Sequence, residues 1–249
     1  MRDQYLQAMG ITRWVRRMPD PSPVVSQVTE PESVVEVPVE TPVEEPIELT
    51  AVQTPDSHNV DSFGWSELEA YVSTCKACDL YSTRTQTVFG SGDQNANWLI
   101  IGEAPGGDED RQGQPFVGRA GQLLTAMIEA MGMRREQVYI ANILKCRPPQ
   151  NRDPDEEEVM ACQSYLRRQI ELLQPKIILA VGRVAAQNLL NTHETMKAMR
   201  GLTFTYADTD IPVVVTYHPA YLLRSPLEKR KAWQDLQMAM RFYNGEVLQ

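Results

Sequence analysis

The stretch WLIIGEAPGGDEDRQGQPFVGRAGQLLTAMIEAMGM, residues 98–133, decides how the chain is read. Its opening, WLIIGE (98–103), is a short apolar run that stops at a Gly-rich loop. From 118 to 133 the apolar residues fall at helical spacing, and the pattern ends near Gly132. Strand, loop and helix then recur downstream. VYIANILKC (138–146) reads as a second strand running into a Cys-bearing loop. Residues 153–175 open with Asp153 as a cap, Pro154 at the first helical position and acids in the first turn, which predicts a helix. KIILAVG (176–182) is a third strand, followed by the helix RVAAQNLL, and PVVVTYHP (212–219) is a fourth before a last helix over 226–243. Apolar strands alternating with helices call for a sheet covered on both faces. The expected fold is a three-layer α/β/α domain with a central, mainly parallel, four-stranded sheet. Sites in such folds lie at the carboxyl ends of strands, which here carry Glu103, Asn142 and His218.

The charge is distributed unevenly. The 249 residues carry a formal net charge of -9. Residues 20–61 hold ten Asp or Glu, no Lys or Arg, and seven of the 17 Pro. Proline blocks helix and sheet, and like charges repel, so this segment is expected to be a disordered, extended linker. It separates a short basic peptide, 1–19, from a domain spanning 62–249. That domain is close to neutral and can present a basic face to an anionic partner. Mean hydropathy is -0.37, and no apolar run approaches the length of a membrane span. The N-terminus lacks the apolar core of a secretory signal, so a cytoplasmic protein with reduced or metal-bound thiols is expected.

Four cysteines stand as two spaced pairs: Cys75 and Cys78 in C-x2-C, then Cys146 and Cys162. Zinc, an iron–sulfur cluster and unliganded thiols are all compatible with that spacing. In the first two cases the metal is a staple rather than a reaction centre. The loop 102–121 has glycines for close backbone approach and a helix start that favours anions, but it is neither a P-loop nor a dinucleotide fingerprint. On composition alone Glu103 and Glu109 are solvated acids, Phe116 a core residue, and Asn142 a turn former. His218, followed by Pro219 at a strand end, is placed to project from the sheet edge.

Taken together, GEAPG (102–106), QPFVGRAG (114–121), NILKCRPPQNR (142–152), HPAYLLR (218–224) and the four cysteines resemble the family 4 branch of the uracil-DNA glycosylase superfamily. The likeness covers nearly all of residues 65–243. It implies a 4Fe-4S cluster on Cys75, Cys78, Cys146 and Cys162, and uracil-containing DNA as the partner. Phe116 would stack on a flipped-out uracil. Asn142 would bond the O4 and N3 edge through one amide that donates and accepts, a pattern cytosine does not match. His218 would bond O2, and Glu103 would face the sugar with the attacking water and stands as the candidate for excluding the thymine methyl. Backbone around Ala104 would touch the base, and Glu109 would brace the loop. Leu222, among Tyr221, Leu222 and Leu223, would wedge into the DNA, with Arg224 on phosphate.

No Lys in these motifs is placed as a Schiff-base nucleophile, so base release without strand cleavage is expected. The covalently trapping relative carries a basic, His-bearing insertion after the asparagine strand. Here that stretch is CRPPQNRDP, without His, which favours turnover. A non-turnover protein that binds uracil or abasic DNA is the alternative. The basic N-terminal peptide carries a second likeness: RDQYLQAMGITRW (2–14) is similar to the N-terminal peptide of the psi subunit of bacterial DNA polymerase III. That implies Leu6, Ile11 and Trp14 as anchors on a clamp-loader complex, with the domain, a monomer, tethered by its linker.

Overall fold

The structure is a computed structural model that describes residues 60–245. The peptide 1–19 and nearly all of the linker expected over 20–61 lie outside the described residues. In chain order the elements are α1 (Trp65–Ser73), β1 (Ser91–Gly92), β2 (Trp98–Gly102), α2 (Gly107–Gln112), α3 (Arg119–Ala130), β3 (Tyr139–Asn142) and α4 (Glu156–Leu173). These are followed by β4 (Ile177–Val181), α5 (Arg183–Leu190), α6 (Met196–Met199), β5 (Thr203–Thr205), β6 (Pro212–Thr216), α7 (Pro219–Arg224) and α8 (Lys229–Tyr243).

The sheet runs β1-β3-β2-β4-β6-β5. Its four central strands are parallel, with Ile100 opposite both Ile140 and Leu179, and Leu179 opposite Val214. They are the four strands expected from the sequence. The sheet gains two short antiparallel edges, β1 on β3 and β5 on β6.

Alternation along each strand builds the three layers. Leu99, Ile101, Ile178, Ala180, Val213 and Val215 meet Leu166 and Ile170 of α4 and Ala185 and Leu189 of α5. Trp98, Ile100, Ile140, Leu179 and Val214 point to the other face, against Leu124 and Ile128 of α3 and Leu236 and Ala239 of α8. A third apolar cluster joins Leu68 and Val72 of α1 to Cys146, Cys162 and Tyr165, so the cysteines belong to a small subcore at one side of the sheet.

Helix starts are set by local chemistry. Asp155, not Asp153, is the N-cap of α4, and Glu158 at the third position closes a capping box. Asp153 is instead paired with Arg183. Pro219 occupies the first turn of α7, where its missing N–H costs nothing. No described helix is long and apolar enough to cross a membrane.

Candidate active site

The site forms where β2, β3 and β6 end. Gly102 is opposite Asn142 in the parallel ladder, so Glu103 leaves the sheet beside Asn142. A side chain at Gly102 is excluded by proximity: a Cβ there would lie 2.5 Å from Asn142 Oδ1 and 2.6 Å from Phe116 Cζ. The glycine thereby lets the amide and the ring come together. Phe116 faces His218 with ring centroids 5.6 Å apart and planes inclined at 35°. The fold therefore gathers Glu103, Phe116, Asn142 and His218 at one mouth.

Asn142 is 2% exposed, and its Oδ1 is buried with no hydrogen-bond partner. A buried acceptor left unmet is costly unless a ligand meets it. His218 Nδ1 accepts from the Ala220 N–H at 3.2 Å, which places the ring proton on Nε2, the atom left to donate. Burial first, then the positive charge of Arg224, lowers the His218 pKa to about 4, so the imidazole is a neutral donor. Burial moves Glu103 the other way, to about 7; Asp153 adds to the rise and Arg183 opposes it.

The Phe116 loop is held from both sides. Phe116 has φ 54°, unusual for a side chain without special turn chemistry. Glu109 Oε1 accepts from the Val117 and Gly118 N–H groups at 2.9 and 3.1 Å. Arg135 donates to the Pro115 carbonyl at 2.6 Å. Gly121 is also required here, because a Cβ would come within 1.8 Å of the Phe116 carbonyl oxygen. Asp110, buried, accepts from the Thr85 N–H and hydroxyl at 2.9 and 2.7 Å, tying α2 to the preceding loop. Ala104 is half-buried and packs at the edge of the cysteine subcore.

One expectation is corrected. Leu222 is 1% exposed and packs within the core formed with α3 and α8, so it is not placed to enter DNA. Helical spacing in α7 turns it inward while Tyr221 and Arg224 stay outside. Five residues on, Leu227 is 92% exposed.

The four cysteines do not enter this mouth. They line a separate cavity with Arg84, Lys145 and Tyr165. Arg84 donates to Cys146 Sγ at 2.9 Å and Tyr165 Oη to Cys75 Sγ at 3.1 Å. Burial raises the pKa of Cys78 and Cys146 and pushes Cys162 up to about 12. Among the described residues, no group of three or more His, Cys, Asp or Glu is gathered as a seat for a metal ion.

Sequence reasoning passed over Lys145, Gln169, Asp153 and Arg183. Lys145 carried a visible signal: a lysine between Leu144 and Cys146, inside an apolar run. It is 1% exposed, and its Nζ donates to the Asn142 carbonyl at 2.9 Å and to Gln169 Oε1 at 2.6 Å.

The strand ends thus bring together a neutral histidine, a raised carboxyl and an unmet amide. The chain belongs to the uracil DNA glycosylase superfamily, whose model matches residues 89–237. Several of its relatives are type-4 uracil-DNA glycosylases. The type-4 uracil-DNA glycosylase of Archaeoglobus fulgidus is 45% identical over 67% of this chain and 86% of its own length. That of Thermotoga maritima is 40% identical over 70% and 92%. A type-5 uracil-DNA glycosylase of Pyrobaculum aerophilum is more distant, at 30% over 62% and 76%.

Proposed function

We propose that this chain is a monofunctional uracil-DNA glycosylase of base excision repair, which flips uracil out of DNA and hydrolyses its N-glycosidic bond. The observation that carries this reading is the buried, unmet Oδ1 of Asn142 beside Phe116 and His218. Uracil supplies the missing partner: its N3–H donates to Oδ1, while Nδ2 donates to O4. Cytosine has an acceptor at N3 and a donor at N4, and it would leave both groups unmet. Phe116 gives the ring a stacking surface.

As the N1–C1′ bond breaks, its electron pair leaves with uracil, and charge builds on N1 and O2. The Nε2–H of His218 meets O2, where one preorganised donor is typically worth about 10²–10³ in rate. The Glu103 carboxylate faces the cation developing on the sugar and takes the proton of the water that adds to C1′. The proton then passes from Glu103 through solvent to the departing uracil anion, and the products are uracil and an abasic site. Lys145, buried and engaged, is not available as a Schiff-base nucleophile, which supports hydrolysis without strand cleavage. The base is unreachable within a duplex, so flipping is required. The exposed Leu227, between Arg224 and Lys229, takes the wedge role, and Arg224 the phosphate.

Cys75, Cys78, Cys146 and Cys162 would hold a 4Fe-4S cluster. Four thiols around one cavity, with hydrogen-bond donors aimed at two of the sulfurs, suit that group. The cluster supplies a cross-link between 75–78 and 146–162 rather than a chemical step.

We further propose that the protein works as a cytoplasmic monomer whose residues 2–14 bind a clamp-loader complex, the linker raising the local concentration of the domain on DNA. A 1–20 peptide should bind clamp-loader protein, and Trp14→Ala should abolish this without changing glycosylase activity on an oligonucleotide. Absence of binding at tens of micromolar, roughly the weak end for a useful tether, would reject it.

The function itself is tested on one pure sample by iron content and by release of uracil from a labelled oligonucleotide. Free uracil in excess of enzyme establishes turnover. Binding without release would mark a non-turnover sensor instead.

A further inference from the structure

Lys145 is unusual in being wholly buried while both of its hydrogen-bond acceptors, the Asn142 carbonyl and Gln169 Oε1, are neutral. Gln169 is itself fixed, since its amide donates to the Phe89 carbonyl at 2.9 Å. Lys145 also lines the cavity that the four cysteines share.

On its other side Lys145 reaches the base-reading residue. The peptide after Asn142 is clamped at both ends: the Ile143 N–H donates to the Gly102 carbonyl at 3.0 Å, and the Asn142 carbonyl accepts from Lys145. With that peptide plane fixed, the direction in which Asn142 leaves the backbone is fixed, and Oδ1 points where no protein donor meets it.

We propose that Lys145 is a positioning residue that links the cysteine site to uracil recognition: its side chain lines the cysteine cavity, and its Nζ holds the Asn142 main chain. The inference rests on the glycosylase reading above. Lys145 touches neither base nor sugar, so its effect passes through Asn142 alone.

The test uses the full-length, iron-loaded protein and two variants. Lys145→Met keeps the chain length without charge or donor, and Lys145→Gln restores a donor without charge. Iron per protein, affinity for free uracil, and steady-state kinetics on a uracil oligonucleotide are measured for each. Lys145→Met should keep its iron and bind free uracil about tenfold more weakly, the low end for a hydrogen bond to a charged group. KM should rise more than kcat falls, since Asn142 grips uracil before and during bond cleavage. Lys145→Gln should recover part of the loss. In an Asn142→Ala background, Lys145→Met should add less than about twofold, because a residue acting through Asn142 has nothing left to position.

Wild-type uracil affinity in Lys145→Met would overturn the proposal, as would full additivity with Asn142→Ala. Loss of iron from both variants would also overturn it, since Lys145 would then support the cysteine site alone. A wild-type protein that binds free uracil but releases none from DNA would instead reject the glycosylase reading, and the uracil affinities of the variants would still test the coupling.

Discussion

Burial pushes Glu103 and His218 toward neutrality from opposite sides, because a low-dielectric site disfavours whichever form is charged. For His218 this is useful: with its pKa lowered to about 4, it remains an uncharged donor throughout the neutral range. For Glu103 it sets a limit, since the carboxylate is the working form and half of it is protonated at about pH 7. Single-turnover cleavage should therefore fall about tenfold per pH unit below that point and level off above it. Asp153 raises the Glu103 pKa, so Asp153→Asn should move the midpoint to lower pH, measured between about pH 5 and 9. An unmoved midpoint would remove Glu103 as the titrating group. Asn142→Asp tests the reader: an acceptor replaces the Nδ2 donor that uracil O4 requires, and uracil release should drop at least about tenfold. Undiminished release would take Asn142 out of that role. Glu103, Asn142 and His218 were legible as strand-end residues, whereas Phe116, far along the Gly-rich loop, was marked only by the resemblance of its motif. Lys145 and Arg183 were not assigned, because their roles depend on partners distant in sequence or on a buried carbonyl.

At the scale of elements, the long apolar strands were legible and the short ones were not. β1 and β5 have two and three residues, too few for a period to show, and they exist because β3 and β6 offer open edges. α7 has six residues, less than two turns, too short for a helical period to show in the sequence. Its helical turn is what carries Leu222 into the core and leaves Leu227, in the short turn after it, at the surface. Leu227→Ala should consequently slow uracil release from duplex DNA by about tenfold and leave release from a single strand within about twofold, since only the duplex needs its gap filled. The measurement is cleavage of matched single- and double-stranded oligonucleotides. Equal losses on both would make Leu227 a general contact rather than a wedge.

Across the whole domain, the cysteine site ties α1 and the loop after it to the β3 loop and α4. Cys162→Ala should lower the melting temperature and the iron content together, and activity should follow the folded fraction. A fully folded variant with unchanged iron would show that Cys162 is not a ligand. The sequence by itself determined the layer order, the four parallel strands and the strand ends where chemistry collects, because apolar periodicity and turn residues are local properties of a chain. It also determined which residue types stand at those ends. Only the tertiary structure decided which of them meet: that Gly102 lets Phe116 and Asn142 converge, that Leu222 is core, and that Lys145 reaches from the cysteine cavity to the Asn142 main chain. Those facts depend on burial and on contacts between residues far apart in sequence, such as Lys145 with Gln169 or Phe116 with His218, and such contacts exist only once the layers have packed.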